Sequence, residues 1–405
     1  MAADAITHSY DIMGQVTSVA DTDSQVDTAH DLLSRSVGNT QTFAGNAVNL
    51  TSAYDLLDRR TELDDPTGTT SYTYDNLGRL KTLTDPTARV FGLSYDAAPR
   101  LTTLTRPNGV DTAFTYSVAD ELETMLHRKA GVEIAGTSYT LNAIGNRASE
   151  SREDGVTSVF SYDGNDRLIG AASTAPVTVL NESLTYDLEG NWTVDGRVHG
   201  PMNELLEDSR FSYNYDAEGN LARKASKNDL ADVTNYTYDA ENRLVAISTP
   251  GLTASYRYDP LGRRIAKIIN GVTTRHVLDG QNVLLELDGS NQLVATNTHA
   301  GLDNLLVRDD ETGVHYLHAD GVNSTIALTN PAGAVEERYR YTAFGQLDVR
   351  YPDFTPKISN QPLLAYTYTG REWEPETGNY FYRARFYDAE LGRFQTRDPI
   401  GENGG

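Results

Sequence analysis

The sequence predicts an all-β fold made of repeated β-hairpins. Three observations predict it: a Tyr-Asp pair recurs along most of the chain, the residues before each pair alternate like a β-strand, and the residues after it spell a tight turn.

The recurrence comes first. The copies begin Tyr10-Asp11, His30-Asp31, Tyr54-Asp55, Tyr74-Asp75 and Tyr95-Asp96. They continue through two degenerate copies at Tyr116 and Leu141, then Tyr162-Asp163, Tyr186-Asp187, Tyr215-Asp216, Tyr238-Asp239 and Tyr258-Asp259. Successive anchors lie 20, 24, 20, 21, 21, 25, 21, 24, 29, 23 and 20 residues apart. Twelve copies at a nearly fixed spacing mark a repeat architecture.

The strand comes next. Tyr72/Tyr74, Phe211/Tyr213/Tyr215, Tyr236/Tyr238 and Tyr256/Tyr258 alternate with other residues. A period of two puts those rings on one face of a strand. The turn follows as Asp-x-x-Gly, as in Asp75-Asn76-Leu77-Gly78. Asp at the first and Gly at the fourth position favour a type I turn, and the Asp carboxylate can accept the N–H two residues on. Arg-Leu or Asn-Leu then opens the return strand. The repeated Asp residues are therefore read as turn formers, and the Tyr rings as stacking across neighbouring hairpins. One segment, Ala119–Lys129, has a helix-like pattern, but it falls on a degenerate repeat and is read as turn and strand. After about Lys267 the spacing stops while strand and turn patterning persists. Val277–Leu287, Asn291–Asn297, Thr325–Leu328 and Val335–Tyr341 are the expected strands. This divides the chain into a repeat array, residues 1–267, and a segment, residues 268–405, that continues the same sheet.

Composition narrows the function. The chain has 405 residues, no cysteine and a formal charge of -23. Disulfides and thiolate metal sites are excluded, and a phosphate-binding, nucleic-acid-binding surface is disfavoured. No apolar run reaches the roughly 20 residues of a membrane helix. The start, MAADAITHSYD, lacks the basic and apolar regions of a signal peptide and reads as a cut inside a longer protein. His315 and His318 are three apart, so on a strand they face opposite sides and no shared metal is expected. No cofactor motif is present. The sequons at Asn49, Asn181, Asn191, Asn235 and Asn323 are what a Thr-rich chain gives by chance.

The repeats, together with Tyr316-LHADGVNSTIALTN, Tyr339-RYTAFGQL and Tyr368-TGREWEPETGNYFYRARFYDAELGRFQTRDPIG, resemble the Rhs/YD-repeat family. That family includes bacterial Rhs polymorphic toxins, toxin-complex components and the teneurin YD shell. The resemblance implies a sheet that spirals into a hollow shell, capped by an Rhs repeat-associated core. It also implies a variable C-terminal toxin domain held inside, with immunity or delivery proteins as further partners. An open or partial shell is expected at this length. Full-length relatives of this kind act as secreted or cell-surface proteins.

Many members cut themselves just after a DPxG motif by chemistry resembling that of aspartic proteases. Carried over by position, the motif's Asp is Asp398 and its assisting Arg is Arg385. The slot for a second acid, directly after the Arg, holds Phe386; Asp388 is the nearest alternative. Cutting would fall at or just after Glu402, where the family usually has Leu. With both departures, slow or absent self-cleavage is expected. A carboxyl pair could share a proton and activate water, with the Arg orienting it. Three readings stand: a shell for a toxin domain outside this sequence, a surface or adhesion protein binding proteins or glycans without cargo, and an active self-cleaving protease with no external substrate.

Overall fold

A computed structural model describes residues 5–174 and 181–399. Strands make up 55% of the structure, and no α-helix occurs among the described residues. Two long sheets carry the fold, one of 17 strands from Thr7–Tyr10 to Glu182–Ser183 and one of 16 strands from Val198–His199 to Leu347–Arg350. In both, each strand pairs antiparallel with the next in sequence, so each sheet is a strip of consecutive hairpins. Neither strip closes into a barrel.

The turns explain the repeat. The Asp75 N–H donates to the Arg79 carbonyl at 2.9 Å, and the Gly78 N–H returns to the Asp75 carbonyl at 3.0 Å. Gly78 takes φ +81°, the left-handed region that glycine enters without steric cost. The strand register slips by one between Thr73 and Tyr74, so the loop is a type I turn closed by a bulge. Ser34, Asp58 and Asn242 take the same left-handed conformation at the equivalent place in their copies. The same backbone pattern continues past the repeats, at Asp288–Gln292 and Asp320–Ser324.

Leu122–Lys129 is a strand preceded by a turn, as expected for that degenerate copy. The expected strand Val277–Leu287 is instead two, Val272–Asp279 and Asn282–Asp288, joined by a tight turn at Gly280 with φ +60°. Ring-on-ring stacking between neighbouring repeats is also corrected. Tyr54, Tyr74, Tyr95, Tyr116, Tyr186 and Tyr258 each meet the arginine of the preceding copy, as Arg79 does 4.6 Å from the centre of the Tyr95 ring. The turn aspartate holds that guanidinium in place, and a cation over a ring is favourable.

The two strips run alongside each other in the same direction. Leu50 and Leu63 pack with Val277 and Leu285; Leu83, Phe91 and Leu104 pack with Leu306, Val307 and Tyr316. Further along, Asn108 donates to Thr329 Oγ1 at 2.9 Å, and Ala343 N–H donates to Glu182 at 2.6 Å. The sheet breaks between Ser183 and Val198, inside the repeat array, whereas residue 267 lies within the paired strand Arg264–Ile269. After Arg350 the chain turns back over the second strip. It forms a small sheet of Glu372–Glu374, Asn379–Phe381, Phe386–Asp388 and Arg393–Phe394. Phe386 and Leu391 of this terminal segment enter a core with Tyr213, Tyr236 and Tyr256 of the strip.

Candidate functional site

The residues that the resemblance singles out lie on this terminal segment. Arg385 stands just before the strand Phe386–Asp388, and its guanidinium lies 2.8 Å from an Asp398 carboxylate oxygen. The same guanidinium sits 3.7 Å from the centre of the Phe394 ring. Tyr382 and Tyr387 in turn box Phe394 edge-on. Stacking on one side and a carboxylate on the other fix the arginine's plane. The chain reaching Asp398 is also pinned. Gln395 donates its N–H to the Phe386 carbonyl at 3.0 Å and accepts the Leu221 N–H at 2.9 Å. Arg397 reaches Glu204 at 3.3 Å. Arg385 and Asp398 stay partly exposed, at 20% and 32% of their side chains.

Asp388 is held by a different cation. Its carboxylate accepts the N–H groups of Glu390 and Leu391, both at 3.0 Å, and lies 4.0 Å from Lys224 Nζ. Burial pushes its pKa up, with Lys224 opposing. Phe386, in the second acid slot, is a core residue against Tyr256 and Phe381. The structure therefore joins Asp398 with Arg385 and leaves Asp388 in its own turn. Glu402 lies outside the described residues. Chemically, the Arg385–Asp398 pair can orient one carboxylate beside the chain that follows it.

Two clusters escaped sequence reasoning. Glu374 and Glu376, two residues apart in one motif, bring their carboxyls together in a buried site with Arg264 and Lys267. The Glu-x-Glu-x-Glu run of Glu372, Glu374 and Glu376 was the available clue. His127 and His318, 4.9 Å apart ring to ring, meet between the strips, and no local pattern links positions so distant in sequence. His315 and His318 do engage different partners, Glu336 and Thr329. Among the described residues, no group of three His, Asp or Glu side chains is placed to hold a metal ion. Among them, too, no helix is long and apolar enough to cross a membrane.

Strips of Tyr-Asp hairpins with a terminal segment folded back on them define a β-shell protein. A family model described as Teneurin YD-shell matches residues 137–402, and an RHS Repeat model matches residues 54–90. The chain belongs to the YD-shell family. It is 29% identical over 255 residues to the tRNA3(Ser)-specific nuclease WapA of Bacillus spizizenii, covering 62% of this chain and 10% of that protein. It is also 29% identical over 283 residues to the double-stranded DNA deaminase toxin A of Burkholderia cenocepacia, covering 61% of this chain and 19% of the toxin. The chain thus spans less than a fifth of either relative. Its fold matches that of TcdB2-TccC3 without the hypervariable C-terminal region at a TM-score of 0.68 and 16% identity, over 97% of this chain and 23% of that one. The Photorhabdus luminescens Tc holotoxin pore matches equally, at 0.68 and 15%, over 98% and 23%.

Proposed function

We propose that this chain is the shell part of a polymorphic toxin, enclosing a C-terminal toxin domain that lies outside this sequence. The observation that carries it is the likeness of nearly the whole chain to the TcdB2-TccC3 shell. Relatives named as a nuclease and a deaminase toxin support it. Secretion, immunity or delivery partners, and the division of the chain at residues 267–268 belong to the same reading.

Self-cleavage near Glu402 would use Asp398, oriented by Arg385. Because Phe386 fills the second acid slot and Asp388 is held by Lys224, we expect cutting to be slow or absent. A carboxylate at Glu402 is a further obstacle, since a pocket suited to Leu desolvates it at a cost. The test is a fusion of a toxin-sized, protease-sensitive domain after Gly405. Protection of that domain from added protease supports the shell, and full digestion favours the surface-protein reading. Rapid cutting on a denaturing gel, abolished by both Asp398→Asn and Arg385→Ala, would overturn the expectation of slow cleavage. Cutting that persists in both variants would place the catalytic groups elsewhere.

A further inference from the structure

The contact between the terminal segment and the second strip is both charged and buried. Arg264 and Lys267 come from the strip strand Arg264–Ile269, and Glu372 and Glu374 from the segment strand Glu372–Glu374, with Glu376 just beyond. Arg264 donates to Glu374 Oε1 and to Glu372 Oε2, both at 2.5 Å. Lys267 Nζ lies 2.7 Å from Glu374 Oε2, 3.4 Å from Glu372 Oε1 and 3.6 Å from Glu376 Oε1. The side chains of Glu374, Arg264 and Glu376 are 0%, 1% and 6% exposed.

Three carboxyls therefore face two cations. With all three ionised, one buried negative charge would have no partner, a state that desolvation makes costly. Glu376 Oε1 is buried without a hydrogen-bond partner, with Lys267 Nζ standing off at 3.6 Å. An ionised carboxylate oxygen buried without a donor is costly, so the site favours a proton on one of the three carboxyls. Burial opposes ionisation of Glu374, but Arg264 and Lys267 outweigh it and hold Glu374 below the usual carboxylate range. The proton then falls to Glu376, which burial and the neighbouring Glu374 carboxyl push up to about 8.

The other groups facing this site stay neutral or paired. Burial raises Tyr256, Tyr258 and Tyr366 and lowers His276, while Glu286 is paired with Arg308 at 2.5 Å.

We propose that Glu374 and Glu376 form a proton-sharing latch that fastens the terminal segment to the strip and loosens when the shared proton is lost. The segment it fastens carries Arg385 and Asp398. The latch goes beyond the shell reading and holds whether or not the shell has cargo. Its sign follows from linkage. Glu376 is raised in the folded state, so its contribution is fully present below the ordinary value of 4.5 and is lost as pH rises to about 8.

Two measurements on the unfused chain test it. Infrared titration should show a protonated carboxyl at neutral pH that disappears with a midpoint near 8 and is absent in Glu376→Gln. Hydrogen exchange, corrected for base catalysis, should show protection across residues 372–395 falling about tenfold or more between about pH 6.5 and pH 9. Glu376→Gln, which keeps a hydrogen on the side chain at every pH, should abolish that fall, while the strand Gly313–Ala319 stays protected in both proteins. The latch is refuted if the wild-type chain shows no protonated carboxyl above pH 6, or if Glu376→Gln keeps either the band or the loss of protection. Should the variant fail to fold, the wild-type infrared titration decides alone.

Discussion

A single aspartate does several jobs in most repeats. In the copy at Asp75, one carboxylate oxygen accepts the N–H groups of Leu77 and Arg79, at 2.9 and 3.0 Å, and the other takes Arg79 Nε at 2.6 Å. The arginine so held donates to the Asp96 carbonyl at 3.0 Å and covers the Tyr95 ring. The Tyr95 hydroxyl closes the circuit on the Leu80 carbonyl at 2.9 Å. Where Tyr, Asp and Arg recur together, one copy binds the next. The turn role of Asp was legible in the sequence, since it is satisfied within five residues. The role of Arg was not, because its second partner lies one repeat away. Asp259 makes the same set of bonds and is only 1% exposed. Asp259→Ala strands two half-buried N–H donors and the buried Arg263 guanidinium, so urea unfolding should show a loss of about 1–3 kcal/mol. Asp75→Ala, at a more open turn, should lose less.

At the scale of elements, the hairpin strips are regular and the terminal segment is not. Its strands are two or three residues long, and it is held by side chains more than by a ladder. Arg197 donates to the Leu391 carbonyl at 2.8 Å, and Tyr380 to the Gly345 carbonyl at 2.9 Å. Gly392, at φ +67°, lies against the indole of Trp192, and a Cβ there would collide with the ring. Gly392→Ala should therefore loosen the segment at a cost of about 1–3 kcal/mol. Limited trypsin digestion should cut earlier at Arg393 and Arg397 in the variant, with the strips left intact. The Arg385–Asp398 partnership was anticipated from motif resemblance alone. That Phe386 is a core residue, and that Asp388 faces Lys224, depended on how the segment folds onto the strip.

At the scale of the molecule, the contact between strips buries polar groups whose titration should make it acid-sensitive. Arg106 donates to Thr112 Oγ1 at 2.6 Å, Thr112 lies 2.7 Å from His127 Nδ1, and His127 Nε2 is 2.9 Å from the Ala319 carbonyl of the other strip. Burial first, and Arg106 second, push His127 down to about 3. A depressed histidine is neutral when folded but takes a proton when unfolded below its ordinary value of 6.5. Its contribution is thus present above that value and lost as pH falls towards 3, at about 1.4 kcal/mol per pH unit. His127→Gln can accept from Thr112 and donate to Ala319 without titrating. Thermal unfolding between about pH 7 and pH 4 should fall more steeply for the wild-type chain than for this variant. Equal slopes would place the acid sensitivity elsewhere.

The sequence by itself determined the all-β class, the hairpin unit, most turn positions and the family. Those features rest on contacts within about 22 residues, and alternation with turn chemistry writes them into each copy. Only the tertiary structure decided how the strips lie against each other, where the sheet breaks, and which charged groups become buried together. Lys267 and Glu374 are 107 residues apart, and His127 and Ala319 are 192 apart. No periodicity spans such distances. Burial then sets the protonation of Glu376 and His127, because desolvation acts on the folded surroundings of a group rather than on its neighbours in sequence.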